Sequence, residues 1–177
     1  MKKSLIQFII IIPLALLLCF TFSCQQQVKE GITEEEAKAL VERDLEIWNE
    51  GNLALADELI APDYVEHTAD ISEDIVGIDA FKEGVANRRT NYPDFNVTIE
   101  ELIVKDDRIV WCWIITGTNT GTTSDIPPTG KKIRAEGVGI LRVVDGKIVE
   151  RLIYYNDATM LRQLGYTITP PSTEGEE

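Results

Sequence analysis

The chain has 177 residues, 44% of them hydrophobic, which is enough apolar side chain for one folded core and too much for a disordered polymer. Its formal net charge of -13 gives a surface that repels phosphate backbones and argues against nucleic acid as a partner. One histidine, His67, and three cysteines without metal-ligand spacing argue against a zinc site.

Lys2 and Lys3 precede an apolar run from Phe8 to Phe20, broken by Pro13. A basic start, a short apolar stretch and then small residues read as an export signal over residues 1–23. The rival reading is a retained membrane helix; Leu5 to Phe22 barely spans a bilayer and contains Gln7 and Pro13. Ser23-Cys24 resembles the lipobox of bacterial lipoproteins, in which the cysteine is lipidated and becomes the mature N-terminus. That resemblance implies an exported chain, lipid-anchored to the bacterial cell envelope through Cys24, with residues 24–31 as a short polar tether.

The globular part is expected over residues 32–166. Thr33 and Glu36 have capping-box spacing, and Ala37, Leu40, Val41, Leu45 and Trp48 then share one helical face up to Gly51. Leu53–Ile60 reads as a second, short helix capped by Asn52, and Asp63–His67 leaves it extended. After a polar loop, Gly77 introduces a third helix that buries Ile78, Phe81 and Val85. Arg88 and Arg89 fall near its C-terminus, where cations suit the helix dipole, and Tyr92-Pro93-Asp94 breaks it.

Strands follow. Phe95, Val97 and Ile99 alternate, and Glu100-Glu101 shifts the phase before Leu102 and Val104, which predicts a bulge. Arg108–Thr116 carries Trp111 and Trp113 on one face and Val110, Cys112 and Ile114 on the other, the pattern of a central strand covered on both sides. A long loop spans Gly117–Lys132. Two β-rich runs then flank Asp145-Gly146, a hairpin turn, and the second ends at Asn156-Asp157 before a short helix. Residues 167–177 form a Pro-, Ser- and Glu-rich tail expected to be disordered. Helices first and strands after indicate an α+β fold: three N-terminal helices packed on a strongly curved antiparallel sheet, a short C-terminal helix, and a conical pocket between them.

Five stretches carry a resemblance: Trp48-Asn49-Glu50-Gly51-Asn52; Tyr64-Val65-Glu66-His67; Tyr92-Pro93-Asp94; Gly117-Thr118-Asn119-Thr120-Gly121 with Pro127-Pro128-Thr129-Gly130; and Asp145-Gly146-Lys147-Ile148-Val149-Glu150 running to Gln163-Leu164-Gly165. Their order resembles the SnoaL-like polyketide cyclase family, of nuclear-transport-factor-like cone fold. The resemblance implies cofactor-free, metal-free ring closure, with an aspartate at the end of the last strand moving a proton. That register falls on Asn156, with Asp157 next to it, and Asn119 stands where relatives often carry histidine.

Candidate site residues follow. Asp157 is either the acid/base or the N-cap of the last helix. His67 is either catalytic at the pocket rim or structural. Asn156, Asn119, Trp113, Tyr155 and Arg88 are candidate substrate contacts. Glu136 and Arg151 read as a cross-strand ion pair on the solvent face. The expected function is an apolar pocket for a small organic molecule, with acid/base cyclisation, isomerisation or hydrolysis; the alternative is a non-catalytic binding module. A homodimer through the open sheet face is a further expectation, because one apolar side of Arg108–Thr116 needs a cover.

Overall fold

The computed structural model describes residues 31–69, 73–122, 127–167 and 169. The leader, Cys24 and nearly all of the tether and tail lie outside these residues.

Helix α1, Glu34–Glu50, begins where the sequence places it. The Thr33 hydroxyl accepts from the Glu36 amide at 3.2 Å, and the Glu36 carboxylate accepts from the Thr33 amide at 2.9 Å. Gly51, in the left-handed region at φ 76°, ends it. Asn49 then docks the helix on the sheet: its amide donates to the Val97 carbonyl at 3.0 Å and accepts from the Val97 amide at 2.7 Å. Helix α2, Ala54–Leu59, stops before Ile60, and Asn52 does not cap it; Leu53 holds the cap position without a side-chain bond. Helix α3, Ile78–Asn91, follows Gly77 and buries Phe81 and Val85.

The sheet has six strands: β1 Ile60–Thr68, β2 Ile75–Val76, β3 Asn96–Lys105, β4 Arg108–Thr118, β5 Lys132–Val144 and β6 Lys147–Tyr155, in the spatial order β2-β1-β6-β5-β4-β3. The expected antiparallel sheet is therefore mixed. The segment after α2 is a full strand, and it pairs parallel to β6. Local pattern hides this, because Pro62 and Asp63 interrupt any alternation and the partner lies far away in the chain. The predicted bulge falls between Ile99 and Glu101, and the hairpin turns at Asp145-Gly146.

Helices and sheet bury one continuous core, including Ile47, Phe81, Ile109, Leu141 and Ile148. The final helix, α4, Asp157–Leu164, adds Met160 and Leu164 to it. Gln163 ties α4 to β5, accepting from the Arg134 amide at 2.7 Å and donating to its carbonyl at 2.8 Å. Strand β4 buries Ile109, Trp111, Trp113 and Ile115, whereas Val110, Cys112 and Ile114 on its other side are only half-buried. The double cover expected for this strand is thus present on one side among the described residues.

Candidate functional site

A cavity of about 160 Å³ lies between the inner face of the sheet and helices α1 and α3. Its walls are Trp48 of α1, Gly84 and Arg88 of α3, Phe95, and the inward residues of β3, β4, β6 and β1. Strand periodicity selects these. Along β4 every second side chain faces inward, which brings Trp111, Trp113 and Ile115 to one wall. Register places Gly139 opposite Trp111 and Gly137 opposite Trp113. A Cβ at Gly139 would lie 1.8 Å from Trp111 Nε1, and one at Gly137 would lie 2.3 Å from Trp113 Cζ2. The two glycines are the space in which the indoles lie down.

Strand β1 contributes Tyr64, Glu66 and Thr68 inward and turns Val65 and His67 outward. Glu66 pairs in register with Arg151 of β6, so both point to the same face. Glu66 Oε2 accepts the Tyr64 hydroxyl proton at 2.5 Å and lies 3.9 Å from Arg151 Nε. Arg151 Nη2 donates to Asp44 Oδ1 of α1 at 2.8 Å. The guanidinium sits among the rings of Phe81, Trp48 and Trp111, 5.4 to 5.8 Å from their centres. Burial pushes the Asp44 carboxyl above the usual aspartate range, and the Arg151 charge beside it draws it back only in part. Burial also works against the charge on Arg151, but the surrounding Asp44, Tyr64 and Glu66 hold it firmly protonated. The buried Tyr64 hydroxyl is held well above its ordinary value, chiefly by burial, so it serves as a donor. The indole N–H groups of Trp48, Trp111 and Trp113 are buried and have no hydrogen-bond partner among the described residues.

Of the residues singled out from sequence, Trp113, Tyr155 and Arg88 line the cavity. The Trp113 and Tyr155 rings are 6.1 Å apart, and Arg88 lies over the rings of Phe95 and Tyr92. Four others stand elsewhere. His67 is on the outer face, its Nδ1 2.6 Å from Asp74 Oδ1 and its Nε2 3.7 Å from Glu150 Oε1. Asn156 caps α4, accepting from the Thr159 amide at 3.1 Å. Asp157 is the first residue of that helix rather than its cap, and it is not a cavity wall. Asn119 is fully buried but clamps the long loop: Oδ1 accepts from the Thr129 amide at 2.8 Å, and Nδ2 donates to the Gly121 carbonyl at 2.8 Å.

Arg151 is a correction. It is not half of a solvent-face pair with Glu136; it is 2% exposed and bound to Asp44, while Glu136 pairs with Arg134 on the opposite face. The two residues differ in parity across the β5–β6 ladder, where Arg151 faces Leu141. Glu66 was legible in principle. Tyr64 is the bulky apolar member of its strand, and period two from Tyr64 leads to Glu66, not His67. Among the described residues no cluster of three or more His, Cys, Asp or Glu side chains could hold a metal ion.

A sequence model of the SnoaL-like polyketide cyclases matches residues 38–164. The chain belongs to that family. It is 30% identical over 122 residues to the nogalonic acid methyl ester cyclase of Streptomyces nogalater, covering 67% of this chain and 89% of that protein. Among solved structures, TsrD from Streptomyces laurentii superposes with a TM-score of 0.69 at 22% identity, over 76% of this chain and 98% of that one. IdmH from Streptomyces antibioticus does so with a TM-score of 0.62 at 28% identity, over 73% and 98%. The α+β cone fold of this SnoaL-like chain, helices packed on one mixed sheet, is that of its neighbours, and a family of this kind binds small molecules.

Proposed function

We propose that this SnoaL-like chain takes a small, largely apolar organic molecule into the tryptophan-walled cavity and acts on it by proton transfer without a cofactor. Cyclisation, isomerisation or hydrolysis are the reaction classes. The observation that carries the reading is a buried carboxylate, Glu66, on a largely apolar wall beside a guanidinium. The printed name of the Streptomyces nogalater relative, a cyclase of a methyl ester, supports the same class of chemistry. All three tryptophans of the chain line this cavity, so intrinsic fluorescence reports occupancy. The test is to purify the protein from its native envelope, extract any retained molecule, and titrate that molecule back while following tryptophan emission and its chemical fate. Saturable quenching with conversion supports the reading; saturable quenching without conversion supports a binding module instead. That second reading draws on Asn156, an amide at the register where relatives carry the aspartate, here used as a helix cap.

The proposal includes export and lipid anchorage through Cys24, supported by the basic, apolar and Ser23-Cys24 sequence of the leader. Mass spectrometry of the mature N-terminus checks it, and an unmodified Cys24 in the membrane fraction would overturn it. It also includes a homodimer through the outer sheet face, supported by the exposed apolar residues Val138, Tyr154 and Ile103.

A further inference from the structure

Glu66 is the only carboxylate on the cavity wall among the described residues. Its two oxygens differ. Oε2 is held by the Tyr64 hydroxyl at 2.5 Å, while Oε1 has no hydrogen bond among the described residues. Arg151 places its close contact on Asp44, at 2.8 Å, and stands 3.9 Å from Glu66. The guanidinium therefore offsets the charge of a buried Glu66 without occupying the lone pairs of Oε1. Tyr64 fixes the carboxylate plane, so Oε1 is an oriented acceptor. The Arg88 guanidinium lines the same cavity from the α3 side.

Size narrows the ligand. An enclosed cavity of about 150 Å³ holds one benzene ring; this one, about 160 Å³ and open to solvent, has room for a single ring of a ligand. We propose that Glu66, on β1, is the proton acceptor of this site, and that the cavity takes the enolisable ring of a cyclic ketone. The inference rests on the acid/base reading above and names its residue and substrate class.

The step balances without a co-reactant. Glu66 Oε1 takes a proton from the carbon beside the carbonyl. The C–H pair becomes a C=C bond and the carbonyl π pair moves to oxygen, to which the Arg88 guanidinium donates. Glu66 then returns the proton to the same ring, at the original carbon or at the far end of a conjugated system.

The experiment uses the folded protein with 3-cyclohexen-1-one, whose isomerisation to 2-cyclohexen-1-one is read by the absorbance of the conjugated product. Binding is read separately by tryptophan quenching with cyclohexanone. The wild type should turn over the probe, and Glu66→Gln should bind cyclohexanone equally while losing about 10²- to 10⁴-fold in rate. Glu66→Asp is the second variant: withdrawing the carboxylate by one methylene should cost on the order of 10²-fold in rate with binding kept. It decides the matter if Glu66→Gln does not fold. Rates within about threefold of wild type in these variants, far below the loss expected of an acid/base group, would overturn Glu66 as acceptor and leave the acid/base reading standing. Binding by the wild type with no turnover would overturn the acceptor role and favour the binding module. No quenching by cyclohexanone, with quenching by the molecule retained from the envelope, would overturn the ring-sized class alone. No quenching by either would sink the cavity reading itself.

Discussion

Glu66 and Arg151 are register partners on the parallel β1–β6 pair, and both project to the inner face, Arg151 Nε 3.9 Å from Glu66 Oε2. Arg151 is thereby shared between a carboxylate of the sheet and Asp44 of α1, 2.8 Å away. Removing Asp44 strips the closer counter-ion from a buried guanidinium. Asp44→Ala should cost about 3–5 kcal/mol, the range for breaking a buried ion pair. Urea denaturation measures it, and a loss below about 1 kcal/mol, the level of a surface pair, would show that Glu66 alone suffices for Arg151.

The two β5 glycines are the floor under the indoles. Gly139→Ala sets a methyl 1.8 Å from Trp111 Nε1, where no side chain can stay without moving. The ring must lift toward the cavity, at a cost of about 1–3 kcal/mol for overpacking. Melting temperature and tryptophan emission should both change, and ligand quenching should weaken. An unaltered emission spectrum would contradict the packing.

Asn119 holds the loop and not a ligand. Asn119→Ala leaves the Thr129 amide and Gly121 carbonyl without their side-chain partner, a loss of about 1–3 kcal/mol if both stay buried. Hydrogen exchange at Thr129 should quicken while ligand quenching holds its wild-type midpoint. A shifted midpoint would return Asn119 to the site.

Acid sensitivity has a named contributor at Asp94. The Thr118 hydroxyl and amide, at 2.7 and 2.5 Å, hold its carboxylate below the ordinary value of 3.8. A lowered value in the folded state means stability that is present above 3.8 and lost as pH falls through the lowered value. Asp94→Asn should flatten the fall of melting temperature with acid while lowering the plateau at neutral pH. An unchanged slope would remove Asp94 from the account.

The outer sheet face is tested by size. Sedimentation of the mature soluble domain should give a dimer, and Tyr154→Lys with Val138→Lys should give a monomer of unchanged fold. A wild-type monomer at high concentration would rule out this interface.

Much of the architecture was legible locally. The Thr33–Glu36 box, the Gly51 stop, the bulge after Ile99 and the Asp145-Gly146 turn each depend on neighbours within a few residues, and each stands where the pattern puts it. The site was less legible. Trp113, Tyr155 and Arg88 reach the cavity, but Asn156 and Asn119 were drawn to it by chain position, and both satisfy nearby backbone instead.

By itself the sequence determined most of the elements and their order, because these follow from short-range periodicity, capping and turn chemistry, and its motifs carried the resemblance to the family. The tertiary structure decided which face of each strand is inside. A period of two gives two sets of side chains and does not say which is buried. Only the parallel pairing of β1 with β6 under α1 turns Glu66 in and His67 out, and only the glycines of β5 let Trp111 and Trp113 lie flat beside it. Those contacts join residues far apart in the chain, so no local pattern contains them.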